Sequence, residues 1–117
     1  VVEVANLTRG GVLAGQCALG VTFYLRLRGL MFRPVFGPFD GLWLAPTREI
    51  HMFWVRFPID LIWLDDGLRV VEVTRGIRPW RLKTCSRARS VLELPVGAAG
   101  DTQPGDRIAF HASGASA

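Results

Sequence analysis

The run from Ile50 to Asp65 is the most apolar in the chain, and His51, Arg56, Asp60 and Asp65 are set into it. From Ile50 to Phe57 both alternating faces are apolar, with Ile50, Met52 and Trp54 on one and His51, Phe53, Val55 and Phe57 on the other. A strand of that kind must be covered on both sides. Pro58 lacks a backbone donor, so the strand bends or ends there. Ile59 to Leu64 resumes the apolar run, and Asp66-Gly67 predicts a two-residue hairpin turn into a strand from Leu68 to Thr74. The stretch therefore predicts a central bent strand and hairpin around which one core packs.

The flanking sequence supplies short strands and turns. Val1 to Thr8 alternates loosely and stops at Gly10-Gly11, and Val12 to Leu19 is its predicted hairpin partner. At Thr22 the period changes: Phe23, Leu27, Leu30 and Met31 share one helical face, which predicts a helix over 22–33 capped by Thr22 and ended by Pro34. Gly41 to Leu44 reads as a strand, Gly76 to Arg89 as a basic loop or irregular edge, and Ser90 to Leu94 as a strand ended by Pro95. Ala98 to Thr102 has the composition of one helical turn. Pro104-Gly105 fits a type II turn, with the glycine supplying the positive φ. Arg107 to His111 is the last predicted strand. The expected fold is α+β and mainly β, a curled antiparallel or mixed sheet of about seven short strands, barrel-like or sandwich, with one helix. A single domain is expected over 1–112, followed by a flexible tail over 113–117.

Composition narrows the class. Half of the 117 residues are hydrophobic, enough for an independent core, and no run approaches the ~20 apolar residues of a membrane-spanning helix. Thirteen of the fourteen basic residues are Arg and the net charge is +4, which favours an anionic partner weakly, because Arg serves equally well in carboxylate pairs within the fold. Cys17 and Cys85 are far apart, with no CxxC spacing and too few histidines for a zinc set, so no metal is predicted. Two buried thiols are expected rather than a bridge. The absence of an initial Met is compatible with a removed upstream signal, which leaves a cytoplasmic and an exported protein equally open.

Several motifs fall in a familiar order: Gly29-Leu30-Met31-Phe32-Arg33, Gly41-Leu42, Ile50-His51, Phe53, Phe57-Pro58-Ile59-Asp60, Leu64-Asp65, Val70-Val71, Pro79-Trp80-Arg81, Val91-Leu92-Glu93-Leu94-Pro95, Gly97 and Gly105-Asp106. Over roughly residues 6–110 the chain resembles a prokaryotic family, the domain of unknown function number one hundred and ninety-two. The resemblance implies a compact β-rich fold with a helix near its start, and no activity. Some members look exported, with an amino-terminal signal segment. The chain departs from the pattern at Met52, where a Thr usually follows the His, and at Val55, where a Met is common. If that hydroxyl serves a site with His51, this chain lacks it.

His51 has the first claim to chemistry, since an imidazole titrates near neutrality. On a covered strand the structural reading, a ring bonded to a carbonyl or carboxylate, carries more weight. Asp60 can accept backbone donors at the Pro58 bend or pair with Arg56 or Arg33. Glu93 stands between Leu92 and Leu94 and either meets solvent or answers an arginine inward. Arg33, with Arg26 beside it, can hold a carboxylate or phosphate. Arg33, His51, Asp60 and Glu93 are thus the candidate ligand-binding set. Asp106, after Gly105, reads as a turn residue. Arg78, Trp80 and Arg81 are candidates for anion binding, with a base stacked on the Trp as the sharpest version and a solvated loop as the preferred one. There is no nucleophile elbow, phosphate loop or dinucleotide fingerprint, and no cofactor is predicted. The preferred function is a non-enzymatic binding or accessory module for a small ligand or protein, with a cell-envelope location allowed by the resemblance; a hydrolase using His51 with a carboxylate is the alternative, and anionic-surface or nucleic-acid contact through 75–89 the third.

Overall fold

A computed structural model of the chain describes residues 2–20, 39–52 and 57–112, except for the His51 side chain. Among the described residues there are nine strands: β1 Val2–Asn6, β2 Gly11–Gly20, β3 Gly41–Leu44, β4 Glu49–His51, β5 Ile59–Leu64, β6 Val70–Ile77, β7 Leu82–Thr84, β8 Ser90–Pro95 and β9 Ile108–Ala112. Seven form one sheet in the order β6-β5-β8-β3-β2-β1-β9, and β4 and β7 form a separate two-stranded ribbon. Neighbours are antiparallel except β2 and β3, which run parallel with Cys17 opposite Gly41. The helix expected over 22–33 and the tail over 113–117 lie outside the described residues, and no helix occurs among the described ones.

The sheet curls until its outer strands meet at one end. Val70 N–H donates to Asp106 O at 2.8 Å, Gly105 N–H to Val70 O at 2.8 Å and Ile108 N–H to Leu68 O at 2.9 Å, around an isolated bridge between Arg69 and Arg107. Two cores follow from the pleat. Val4, Ala14, Cys17, Ile62, Leu64, Val70, Leu92, Leu94 and Ile108 form one cluster with the partly buried Trp43 and Phe110. It joins residues from both outer strands, so it fills the concave side. Ile59, Leu61, Trp63, Val91, Leu42 and Leu44 point the other way and meet Ile50, Met52, Cys85 and Ala88. This second cluster lies on the convex side, roofed by the ribbon. β5 is buried at every position because it has a core on each face. Each large side chain buried there stabilises the fold by ~1.5–3 kcal/mol.

Gly41 shows how closely β3 approaches the concave core: a Cβ there would stand 3.1 Å from both Ala14 Cβ and Leu94 Cδ2. Asp40, just before it, ties β3 to β2 by accepting the Gly15 and Gln16 amides at 2.8 and 2.7 Å.

The Ile50–Asp65 stretch is not one bent central strand. Among the described residues of the stretch before Pro58, the extended ones are those of Glu49–His51, which belongs to the ribbon, whereas Ile59–Leu64 is central in the main sheet. Pro58, which has no backbone donor, stands just before β5, where the main-sheet strand begins. The hairpin after Leu64 forms as expected, with a different turn. Asp65 N–H bonds Arg69 O at 3.0 Å, Leu68 N–H bonds Asp65 O at 3.1 Å, and the positive φ of 62° sits on Leu68 rather than Gly67. That is a three-residue loop, held by the Asp65 carboxylate, which accepts the Gly67 and Arg69 amides at 2.9 Å each. Residues 96–101 form successive turns instead of a helical one, with bonds from Ala98 to Pro95, Gly100 to Gly97 and Thr102 to Ala99. Gly105 has φ 94° and Asp106 N–H bonds Gln103 O at 3.1 Å, in keeping with the type II turn. The basic stretch 76–89 contains β7 rather than loop alone.

Candidate functional site

Asp60 is 1% exposed at one end of the concave core. Its Oδ1 accepts the Gly76 amide at 2.9 Å, and its Oδ2 accepts those of Gly97 at 2.9 Å and Ala99 at 3.2 Å. Both oxygens are thus committed to backbone, and the side chain fastens the β6 end and the 96–101 turns onto β5. Arg33 and Arg56 lie outside the described residues, as does the His51 side chain. The backbone of His51 stands opposite Leu82 in the ribbon.

Asp106 closes the end where the outer strands meet. It is 3% exposed, and its Oδ2 accepts Asn6 Nδ2 at 3.0 Å, Arg9 Nε at 2.7 Å and the Gln103 amide at 2.9 Å. Burial pushes its carboxyl upward, but the Asn6 and Gln103 hydrogen bonds and the Arg9 charge outweigh it and hold the group below its usual 3.8. It is a turn residue, as the sequence suggests, and also the hub of a buried polar network.

Glu93 is the contrasting case. It faces the convex cluster between Leu42 and Leu61, its neighbours in register on β3 and β5, and is 3% exposed. It does not meet solvent. No described residue donates a hydrogen bond or pairs a charge with it, and burial pushes its carboxyl up to about 8, so it is protonated at neutral pH.

The basic segment divides. Lys83 Nζ meets Glu72 at 2.6 Å, Arg89 lies 3.7 Å from Asp66, Arg87 Nη2 donates to Val71 O at 3.2 Å, and Arg75 Nη2 donates to Gly100 O and Thr102 O at 2.8 and 2.9 Å. These residues serve the fold. Arg78 and Arg81 are exposed, and no acidic residue among the described ones lies within ion-pair distance of either. Trp80 stands between them, 56% exposed, with φ 67°. Its N–H donates to Met52 O at 2.8 Å, while Met52 N–H donates to Arg81 O at 2.7 Å. Two residues of one strand oppose a single residue of the other, the first of them left-handed: this is a G1 bulge with a tryptophan in the glycine position. A bulky residue held there costs ~1–3 kcal/mol of backbone strain, compensated by the surrounding bonds.

Sequence reasoning singled out Trp80 and its two arginines but missed their clamp, Met52, and the neighbouring Leu82, 57% exposed. A lone leucine between Arg81 and Lys83 was the available signal. The thiols lie on opposite sides of the sheet, Cys17 in the concave cluster and Cys85 in the convex one, and both are free. Burial and the Asp40 charge push the Cys17 thiol up to about 12. Among the described residues no group of three His, Cys, Asp or Glu is placed to hold a metal ion, and no helix is long and apolar enough to cross a membrane.

A curled seven-stranded mixed sheet roofed by a short ribbon defines the class of fold. The chain belongs to the domain of unknown function family number one hundred and ninety-two, described as "Uncharacterized ACR", whose profile matches residues 5–110. It is 35% identical over 111 residues to a UPF0127 protein of Pyrococcus horikoshii, covering 90% of this chain and 96% of that one. A UPF0127 protein of Thermococcus sibiricus is 36% identical over 98 residues, covering 79% of this chain; the match spans only 62% of that relative's own length. Two solved structures share the fold at 24% identity. A protein of unknown function from Novosphingobium aromaticivorans aligns with TM-score 0.76 over 92% of this chain and 82% of its own. A protein from Sinorhizobium meliloti described as a "putative transcription regulator" aligns with TM-score 0.73 over 93% and 91%.

Proposed function

We propose that the protein is a non-enzymatic binding module whose contact surface is the Trp80 bulge, and that its partner is acidic. The observation that carries this reading is the strained, exposed Trp80 between two exposed arginines with no described acidic partner. Glycine would hold the bulge without strain, and the tryptophan that stands there instead leaves more than half of its surface exposed to a partner. An indole face supplies apolar area, and the flanking guanidinium groups supply charge and planar hydrogen-bond donors, a combination common at interaction surfaces. Asp60 supports the fold in this reading, since its oxygens are taken by three amides.

The test is calorimetric titration with polyglutamate at moderate salt, set against polylysine. The wild-type chain binds polyglutamate alone. Reversing both charges, Arg78→Glu with Arg81→Glu, weakens binding at least tenfold while the melting temperature stays within a few degrees. Trp80→Gly, which relieves the φ of 67°, also weakens it. Equal binding by wild type and the charge-reversed chain, or no binding by either, overturns the proposal.

A further inference from the structure

Beside the Trp80 bulge the ribbon leaves a strand edge open, and from it we infer that the acidic partner is an extended peptide that adds as a third strand to the outer edge of β7. The inference rests on the proposed binding surface and specifies its occupant. In the antiparallel ribbon Ile50 faces Lys83 and His51 faces Leu82. Met52 N–H bonds Arg81 O and Cys85 N–H bonds Arg48 O, so residues 81, 83 and 85 of the β7 side turn their backbone groups toward β4. By the alternation of an antiparallel ladder, Leu82 and Thr84 turn their N–H and C=O groups away from it. Both residues are exposed, and no described backbone group outside the ribbon bonds either one. Four backbone groups in register therefore stand on one side with no partner among the described residues.

The side chains along that edge fit one kind of strand. Leu82 and Trp80 are 57% and 56% exposed and offer apolar contact, while Arg78 and Arg81 offer positive charge. The acidic residues nearby are turned to other uses: Glu49 sits across the ribbon on β4, where it accepts Thr84 Oγ1 at 3.5 Å, and Glu72 holds Lys83. An incoming strand that alternates acidic and apolar side chains would place one set on the arginines and the other on Leu82 and Trp80, with its own backbone paired to Leu82 and Thr84. A nucleic acid or an anionic lipid surface could use the arginines and the indole but would leave the open N–H and C=O groups without ladder partners. The bulge itself marks the end of the edge, since a left-handed residue twists the chain away from further pairing.

The experiment uses an eight-residue peptide of alternating glutamate and valine, its isomers N-methylated at every second residue in one register or the other, a single-stranded oligonucleotide, and anionic phosphatidylserine vesicles. The plain peptide binds, and methylation in one register weakens it at least tenfold while the other register has little effect, because only one peptide edge faces β7. Amide exchange at Leu82 and Thr84 slows on binding. Thr84→Pro, which removes an outward N–H, weakens the peptide at least fivefold; a melting curve checks that the ribbon still folds, and the methylated peptides need no variant at all. If all the peptides bind equally and still require Arg78 and Arg81, or if the oligonucleotide or the vesicles bind more tightly than the plain peptide, strand addition is wrong while the acidic binding surface stands. If none of the probes binds, both readings fall.

Discussion

The concave and convex sides of the main sheet both bury carboxyl groups, and they treat them in opposite ways. On the concave side Asp60 accepts three amides and Asp106 accepts an amide, an asparagine and an arginine. On the convex side Glu93 lies among Leu42, Leu61 and their neighbours with no described partner, and is neutral. The same side carries the ribbon with its strained Trp80. A buried polar group that is satisfied locks a fold, and one that is not destabilises it. The hydrogen-bonded carboxylates thus tie the concave side together, although Trp43 Nε1, on the ring that packs against that core, is buried without a described hydrogen-bond partner; the neutral Glu93 and the left-handed Trp80 lie on the side proposed to meet a partner.

The largest effect that can break this contrast concerns Glu93. Its folded value of about 8 lies above the ordinary 4.5, so folding favours the protonated form. Its contribution is whole below 4.5 and disappears as pH rises toward 8, a span worth about 5 kcal/mol. The difference in urea stability between wild type and Glu93→Gln should therefore grow from pH 5 to pH 9 in favour of the variant. A flat difference would place Glu93 with the satisfied carboxylates. Asp60→Ala comes next: it strands three buried amides and should lower stability by about 3–5 kcal/mol at pH 7, with Asp60→Asn milder. Asp106→Asn should cost about 1–3 kcal/mol at neutral pH. Its sign runs opposite to that of Glu93. The lowered carboxyl stabilises above 3.8 and loses that contribution as pH falls below it, so wild type and variant should converge in acid. Smallest is Trp80→Gly, expected to raise stability by about 1 kcal/mol in a melting experiment through release of the left-handed tryptophan. A loss of that size would mean the ring packs for stability rather than contact.

Local chemistry made much of the β architecture legible. The Gly10-Gly11 pair joins β1 to β2, the Asp65–Leu68 segment turns β5 into β6, and Gly105 supplies its positive φ. Non-local pairing was harder to read. Nothing in Leu82-Lys83-Thr84 announces a strand, because three residues carry no period, and its partner Glu49–His51 was hidden inside a longer apolar run. The parallel pairing of β2 with β3 has no short-range signal either. At the candidate site, the alternation of Leu92-Glu93-Leu94 left inward and outward readings open, and only the second core on the convex face settles it inward. Trp80 was visible as an aromatic among arginines, but its backbone geometry depends on Met52, nearly thirty residues away in sequence.

The place of β9 in the sheet bears on how the molecule is made. β1, the first strand, bonds β2 on one side and β9 on the other, while β9 also meets the start of β6. A ribosome releases β9 last of the nine, so until then the outer edge of β1 remains bare and can recruit a strand from another chain. A chain stopped before Ile108 would keep that edge permanently, and should associate with itself at concentrations where the longer chain stays dispersed.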